Sequence, residues 1–128
     1  MRFTATCVTY QTQDDVAMLG FADDEFKTTR YVLLQKDLEP SQRDLELGHD
    51  TLYIEIDDQR HSRYGGVVKA QLQESRLVLK LDPQAAADMS VDDTIEISFR
   101  VPMERLKEIS NQLRLLLGND IVQVDASI

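Results

Sequence analysis

DLELGHDTLYIEIDDQRHSRYGGV, residues 44–67, carries the clearest pattern in the chain. Within it, residues 51–57 alternate, with Leu52, Ile54 and Ile56 on one side and Tyr53, Glu55 and Asp57 on the other. That is the period-2 signature of a strand with one face buried. Gly48 precedes it, and the polar run 58–64 reads as a hairpin-like segment closing on Gly65-Gly66, so turn chemistry bounds the strand at both ends. One face requires a core; the other is left to solvent or to a partner.

Working outward, β-branched and aromatic residues favour a first strand over 3–11, a second over 16–21 and a third, nearly continuous and apolar, over 31–35. These three form a meander, and Ala22-Asp23-Asp24-Glu25 between the last two is an acidic loop facing water. Pro40-Ser41 opens one or two helical turns that Gly48 closes. On the other side, residues 67–73 place Val68, Ala70 and Leu72 inward, and residues 76–81 do the same with Leu77, Leu79 and Leu81. Glu74-Ser75 is short enough to join them as a hairpin. Asp82-Pro83 caps a short helix over the alanines that follow. A strand over 94–101 turns Ile95, Ile97, Phe99 and Val101 inward. Finally, Met103, Leu106, Ile109, Leu113, Leu116 and Leu117 recur at three- and four-residue steps, the stripe of a long helix running from Pro102 to a left-handed cap at Gly118. Its expected burial partner is the inward face of the strands between 52 and 101, and Val122 and Val124 suit a last strand. The expected fold is α+β: a mainly antiparallel sheet of about seven to eight strands, one long C-terminal helix packed on it, and a short helix between late strands.

At 128 residues the chain reads as a single domain spanning 1–128, able to bury roughly two-thirds of its unfolded surface without staples. The net charge of -9 opposes nucleic-acid and anionic-membrane binding, which need clustered cations, and suits a basic protein partner. The single cysteine, Cys7, cannot form an internal disulfide and reads as a small buried hydrophobe. Without a signal-like N-terminus or an apolar run long enough to span a bilayer, the expected location is cytoplasmic.

His49, Asp50, Asp57, Asp58 and His61 are the one grouping suited to metal or acid–base work. A seven-residue strand, however, separates its ends by about 20 Å, too far for the histidines to share a site. Tyr64-Gly65-Gly66 lacks the Lys-Ser/Thr of a phosphate loop and is suited to positive φ or a bulge. The chain therefore reads as non-enzymatic, with no catalytic residue, metal or cofactor. The competing readings are a small metal-dependent hydrolase using His49, Asp57 and His61, and a homo-oligomeric module, which includes a homodimer. The outward row Tyr53, Glu55, Asp57 can offer an aromatic anchor and carboxylates to a basic partner, or be a solvated face paired with Lys69 or Lys80.

Tyr31-Val32-Leu33-Leu34-Gln35, Leu47-Gly48, the run 53–59, Tyr64-Gly65-Gly66-Val67, and the run 77–83 followed by Ala85-Ala86-Ala87 together resemble the immunity protein 10 family, in matching order from residue 3 to 117. The resemblance implies a cytoplasmic antidote of a bacterial polymorphic toxin system, a small protein that binds a cognate toxin domain. Carried over by position, Tyr53, Glu55, Asp57, Arg63 and Tyr64 are the expected partner-binding residues.

Overall fold

The computed structural model describes residues 1–48 and 51–128. His49 and Asp50, and with them the proposed His49 ligand, lie outside the described residues. The elements run β1 Arg2–Thr4, β2 Cys7–Gln13, β3 Val16–Ala22, β4 Tyr31–Asp37, α1 Gln42–Leu47, β5 Tyr53–Ile56, β6 Asp58–Tyr64, β7 Val67–Gln73, β8 Arg76–Leu81, α2 Pro83–Met89, β9 Thr94–Ser98, α3 Met103–Leu117 and β10 Val122–Val124. They build two five-stranded sheets, β1-β9-β8-β7-β10 and β2-β3-β4-β5-β6. The second sheet is an antiparallel meander throughout. In the first, both edge strands pair in parallel with their neighbours.

The α+β class and the mainly antiparallel pairing match expectation. The strand number and the single sheet do not, for two physical reasons. First, the N-terminal run is two strands in two sheets: Ala5 bonds Ser98 while Thr6 bonds Ala22, so the chain changes sheets there. The alternation also changes phase, with Phe3 facing the core in β1 and Val8 and Tyr10 facing it in β2. Cys7 accordingly sits half-buried on the outer surface, opposite Ala22, not in the core. Second, the polar run 58–64 is itself strand β6, folding back along β5 after a bulge at Glu55/Ile56. The last strand expected at Val122 and Val124 is present as β10, an edge beside β7.

One continuous core lies between the layers. Leu52, Ile54 and Ile56 are buried as the alternation demands, joined by Leu19, Phe21, Val32 and Leu34 from one sheet and Leu77, Leu79, Ile95 and Ile97 from the other. Val68 departs from expectation: a shift in register between Val67 and Lys69 turns it outward, 52% exposed. Helix α3 buries Leu106, Ile109, Leu113 and Leu116 of its expected stripe, while Leu117 is half-buried and Met103, in the first turn, is 40% exposed. It packs on β3 and β4 and touches β10, bridging the two sheets, and does not lie mainly on strands 52–101. Arg105 and Gln112 fix it to β2 and β3 by donating to the Val8, Gln11 and Met18 carbonyls. Gly118 ends it with φ 84° but extended ψ, so it is not a left-handed cap.

The short helices follow their local chemistry. Ser41 and Asp44 form a reciprocal capping box at α1, and Gly48 closes it in the left-handed region. Asp82 accepts from the Gln84 and Ala85 amides to start α2. Gly66 is required where β6 gives way to β7: φ is 95°, and a Cβ there would meet Ala85 Cβ at 2.8 Å.

Candidate functional site: the outer face of the second sheet

Strand register sorts the second sheet into two faces. Because Tyr53 opposes Tyr64 and Gln35, and Gln35 opposes Met18, these four form one outward row. Glu55, opposing Leu33 and Ser62, belongs to the next row with Gly20 and Thr9. Tyr31, Ala22 and Cys7 make a third. Half-buried aromatic and apolar side chains dominate this surface, and no helix packs across it among the described residues.

At its centre Glu55 is only 9% exposed. One carboxylate oxygen accepts the Tyr31 hydroxyl and the other accepts the Tyr53 hydroxyl at 2.6 Å. A carboxylate this far from water needs such charge-assisted donors. The same burial, followed by the adjacent carboxylate, pushes the Tyr31 hydroxyl well above its ordinary range, and burial raises Tyr53 likewise. Tyr53 also meets Tyr64 across the strands, ring centroids 5.4 Å apart in a tilted arrangement.

Of the five residues expected from sequence, Tyr53, Glu55 and Tyr64 are brought together here. Asp57 stands at the end of β5 with φ 63°, which breaks the alternation. It accepts from the Tyr31 amide and pairs with Arg30 at 3.6 Å. Arg63 opposes Ile54 and so faces the other way, toward α2, bonding the Tyr64 carbonyl and Asp88. The expected open acidic row is thus corrected: Glu55 is spent on two tyrosines, and Asp57 on backbone and Arg30. Lys69 and Lys80 are no partners for either, since they oppose each other in the first sheet. His61 lies in mid-β6 with Nδ1 2.7 Å from the Met89 carbonyl. Among the described residues no three His, Cys, Asp or Glu side chains are grouped to hold a metal.

The 23–30 loop between β3 and β4 holds the feature that sequence reading missed. Phe26 stands 87% exposed, and the loop beneath it is tied down from within. Asp24 Oδ1 accepts the Phe26 and Lys27 amides, and Asp23 accepts the amides of Thr29 and Arg30 together with the Thr29 hydroxyl. The Thr29 hydroxyl and the Arg30 amide are the main reasons the Asp23 carboxyl is held below its usual range; the Lys27 and Phe26 amides do the same for Asp24. The acidic residues that looked merely solvated are therefore the loop's scaffold. The available signal was a lone phenylalanine between Asx-turn formers. Thr28 carries the loop to a cleft of about 340 Å³ on the outer face, where it meets Cys7, Tyr31 and Leu33. At the opposite end, Leu45 and Leu47 of α1 are 48% and 56% exposed, and Asp44 of the same helix lines a cleft with Tyr53 and Tyr64.

Fold and face together define a small two-sheet α+β protein in which one of the uncovered sheet surfaces is aromatic and braced by side-chain hydrogen bonds. The chain belongs to the immunity protein 10 family, whose model matches residues 4–107. At this coarse level it is an immunity protein. No curated protein matches the chain. None of its described helices is long and apolar enough to cross a membrane.

Proposed function

We propose that this protein neutralises a cognate bacterial toxin in the cytoplasm by direct, non-catalytic binding, and that the outer face of the second sheet with the 23–30 loop is the surface that engages the toxin. The observation that carries the reading is Phe26: a large apolar side chain almost fully in water, on a loop whose backbone is already fixed by Asp23 and Asp24. Phe26 is the most exposed of the large apolar side chains among the described residues, and a pre-ordered loop removes the entropic cost of fixing it in a complex. Aromatic anchors of this kind dominate interface energies. Tyr64, Tyr53 and Leu33 continue the apolar surface, while Glu55 holds two of its tyrosines in place. Asp57 shapes the adjoining turn, and Arg63 supports the face from behind. The net charge of -9 supports a basic partner, which long-range attraction would steer toward it.

The test is co-expression with the protein encoded beside this gene. The expected result is that the neighbour arrests growth alone, that this chain restores growth and co-purifies at moderate salt, and that Phe26→Asp abolishes both while the free variant melts like the parent. Rescue without a complex would overturn direct binding. A stable self-complex that buries Phe26 would favour the homo-oligomer.

A further inference from the structure

A second site lies away from this face, where the two sheets meet at the β1–β2 crossing. A cleft of about 670 Å³ opens there, and Arg76, Arg100 and Arg105 all line it. No Asp or Glu does so among the described residues, in a chain whose net charge is -9. Such a volume is that of a small-molecule site. Arg76 shares the carboxylate of Glu96 with Arg2, so one anion serves two cations. Arg105 donates to a neutral acceptor, the Val8 carbonyl at 2.7 Å, and lies over the Tyr10 ring. Arg100 is exposed and forms no hydrogen bond or ion pair among the described residues.

Arg76 and Arg105 are thus already anchored, Arg76 by Glu96 and Gln73 and Arg105 by the Val8 carbonyl, and Arg100 adds a guanidinium without a partner among the described residues to the same cleft. We infer that this cleft binds a small phosphorylated molecule, its phosphate oxygens taken by Arg100, Arg105 and Arg76. A single carboxylate would offset one charge, whereas a phosphate monoester or diphosphate offsets two or more and accepts forked bonds from several arginines. The hydroxyls of Thr4, Thr6 and Ser98 on the cleft wall supply further donors of the kind that phosphate takes, and Phe99 and Val101 offer apolar surface to the rest of the ligand. The overall negative charge disfavours extended nucleic acid, leaving a compact ligand that meets only the local field.

The inference is independent of toxin binding and is tested on the free protein, by calorimetric titration with inorganic pyrophosphate at low ionic strength. Expected is saturable one-to-one binding that weakens at least about tenfold in Arg100→Gln. Arg100→Lys keeps the charge but loses the fork, and is expected to fall between the two. Lys80→Gln, on the outer face of the first sheet, should leave affinity within about twofold if the effect is local rather than diffuse. Absence of saturable binding, equal losses in Arg100→Gln and Lys80→Gln, or citrate binding as tightly as pyrophosphate would each overturn the phosphate assignment. Arg100 makes no structural bond, so its variants are expected to fold.

Discussion

On the first sheet, Arg2, Arg76, Val78, Lys80 and Glu96 share the outer surface; on the second, Met18, Tyr31, Leu33, Tyr53 and Tyr64 do. Both surfaces are open, and both inner sides feed one core, yet their chemistry is opposite. The first spends its polar groups on one another in exposed ion pairs, such as Arg2–Glu96 at 2.8 Å. The second withdraws its carboxylate beneath tyrosines and presents their rings. Water satisfies the first face as it stands. The second is poorly matched to water and well matched to another protein, and this contrast supports placing the interface there.

The contrast is most severely tested at Phe26. In the proposed complex with a toxin, Phe26→Asp is expected to weaken affinity at least about 100-fold, the scale of a central aromatic anchor. Val78→Asp on the first sheet should stay within about threefold. Equal losses, measured by surface plasmon resonance, would dissolve the distinction between the faces.

Next in size is the bracing of the second face. Glu55→Ala removes the acceptor for both Tyr31 and Tyr53 and is expected to cost about 2 kcal/mol of unfolding free energy in urea, the scale of bonds to a charged group. An unchanged midpoint would show that the tyrosines do not depend on it.

A smaller effect appears in alkali. The folded Tyr31 hydroxyl is raised above its ordinary value of 10.0, so folding favours the protonated form. The stability this provides is fully present below pH 10 and drains away as pH rises from there toward the folded value. Melting temperatures of Tyr31→Phe followed above pH 10 should therefore decline less steeply than those of the parent; parallel slopes would refute the linkage.

Smallest of all, Glu96→Gln on the first face should lower the melting temperature slightly in low salt and less in high salt, because its arginine partners stand largely in water and such pairs are weak and screened.

Hydrophobic alternation made the centre of this fold readable in advance. Leu52, Ile54 and Ile56, the β7–β8 hairpin, the Asp82 cap and the stripe of α3 all lie where periodicity and capping chemistry put them. What escaped has a common cause. Strand β6 carries no apolar alternation, because its inner side meets α2 through Arg63 and His61 and not through aliphatic groups. The crossing between β1 and β2 is invisible because residues of similar size stand on either side of the phase change. Tyr53 was readable as outward, but not the turning in of Glu55, since alternation assigns a face and says nothing of which neighbour covers it. Phe26 escaped because a single residue has no period.

The pairing pattern carries a consequence for how the molecule comes into being. Every partner in the second sheet is the next strand along the chain, so residues 7–64 can pair in chain order, with β4 and β5 joined through α1. The first sheet must instead wait for β1 to find β9, joining Arg2 to Glu96. Distant pairings of that sort set slow rates, while adjacent ones form fast. During synthesis the meander is thus expected to emerge and order first, and the loop bearing Phe26 to take shape before the sheet behind it is stitched shut. An antidote built in this sequence lays down its proposed recognition surface early and its closing seam last.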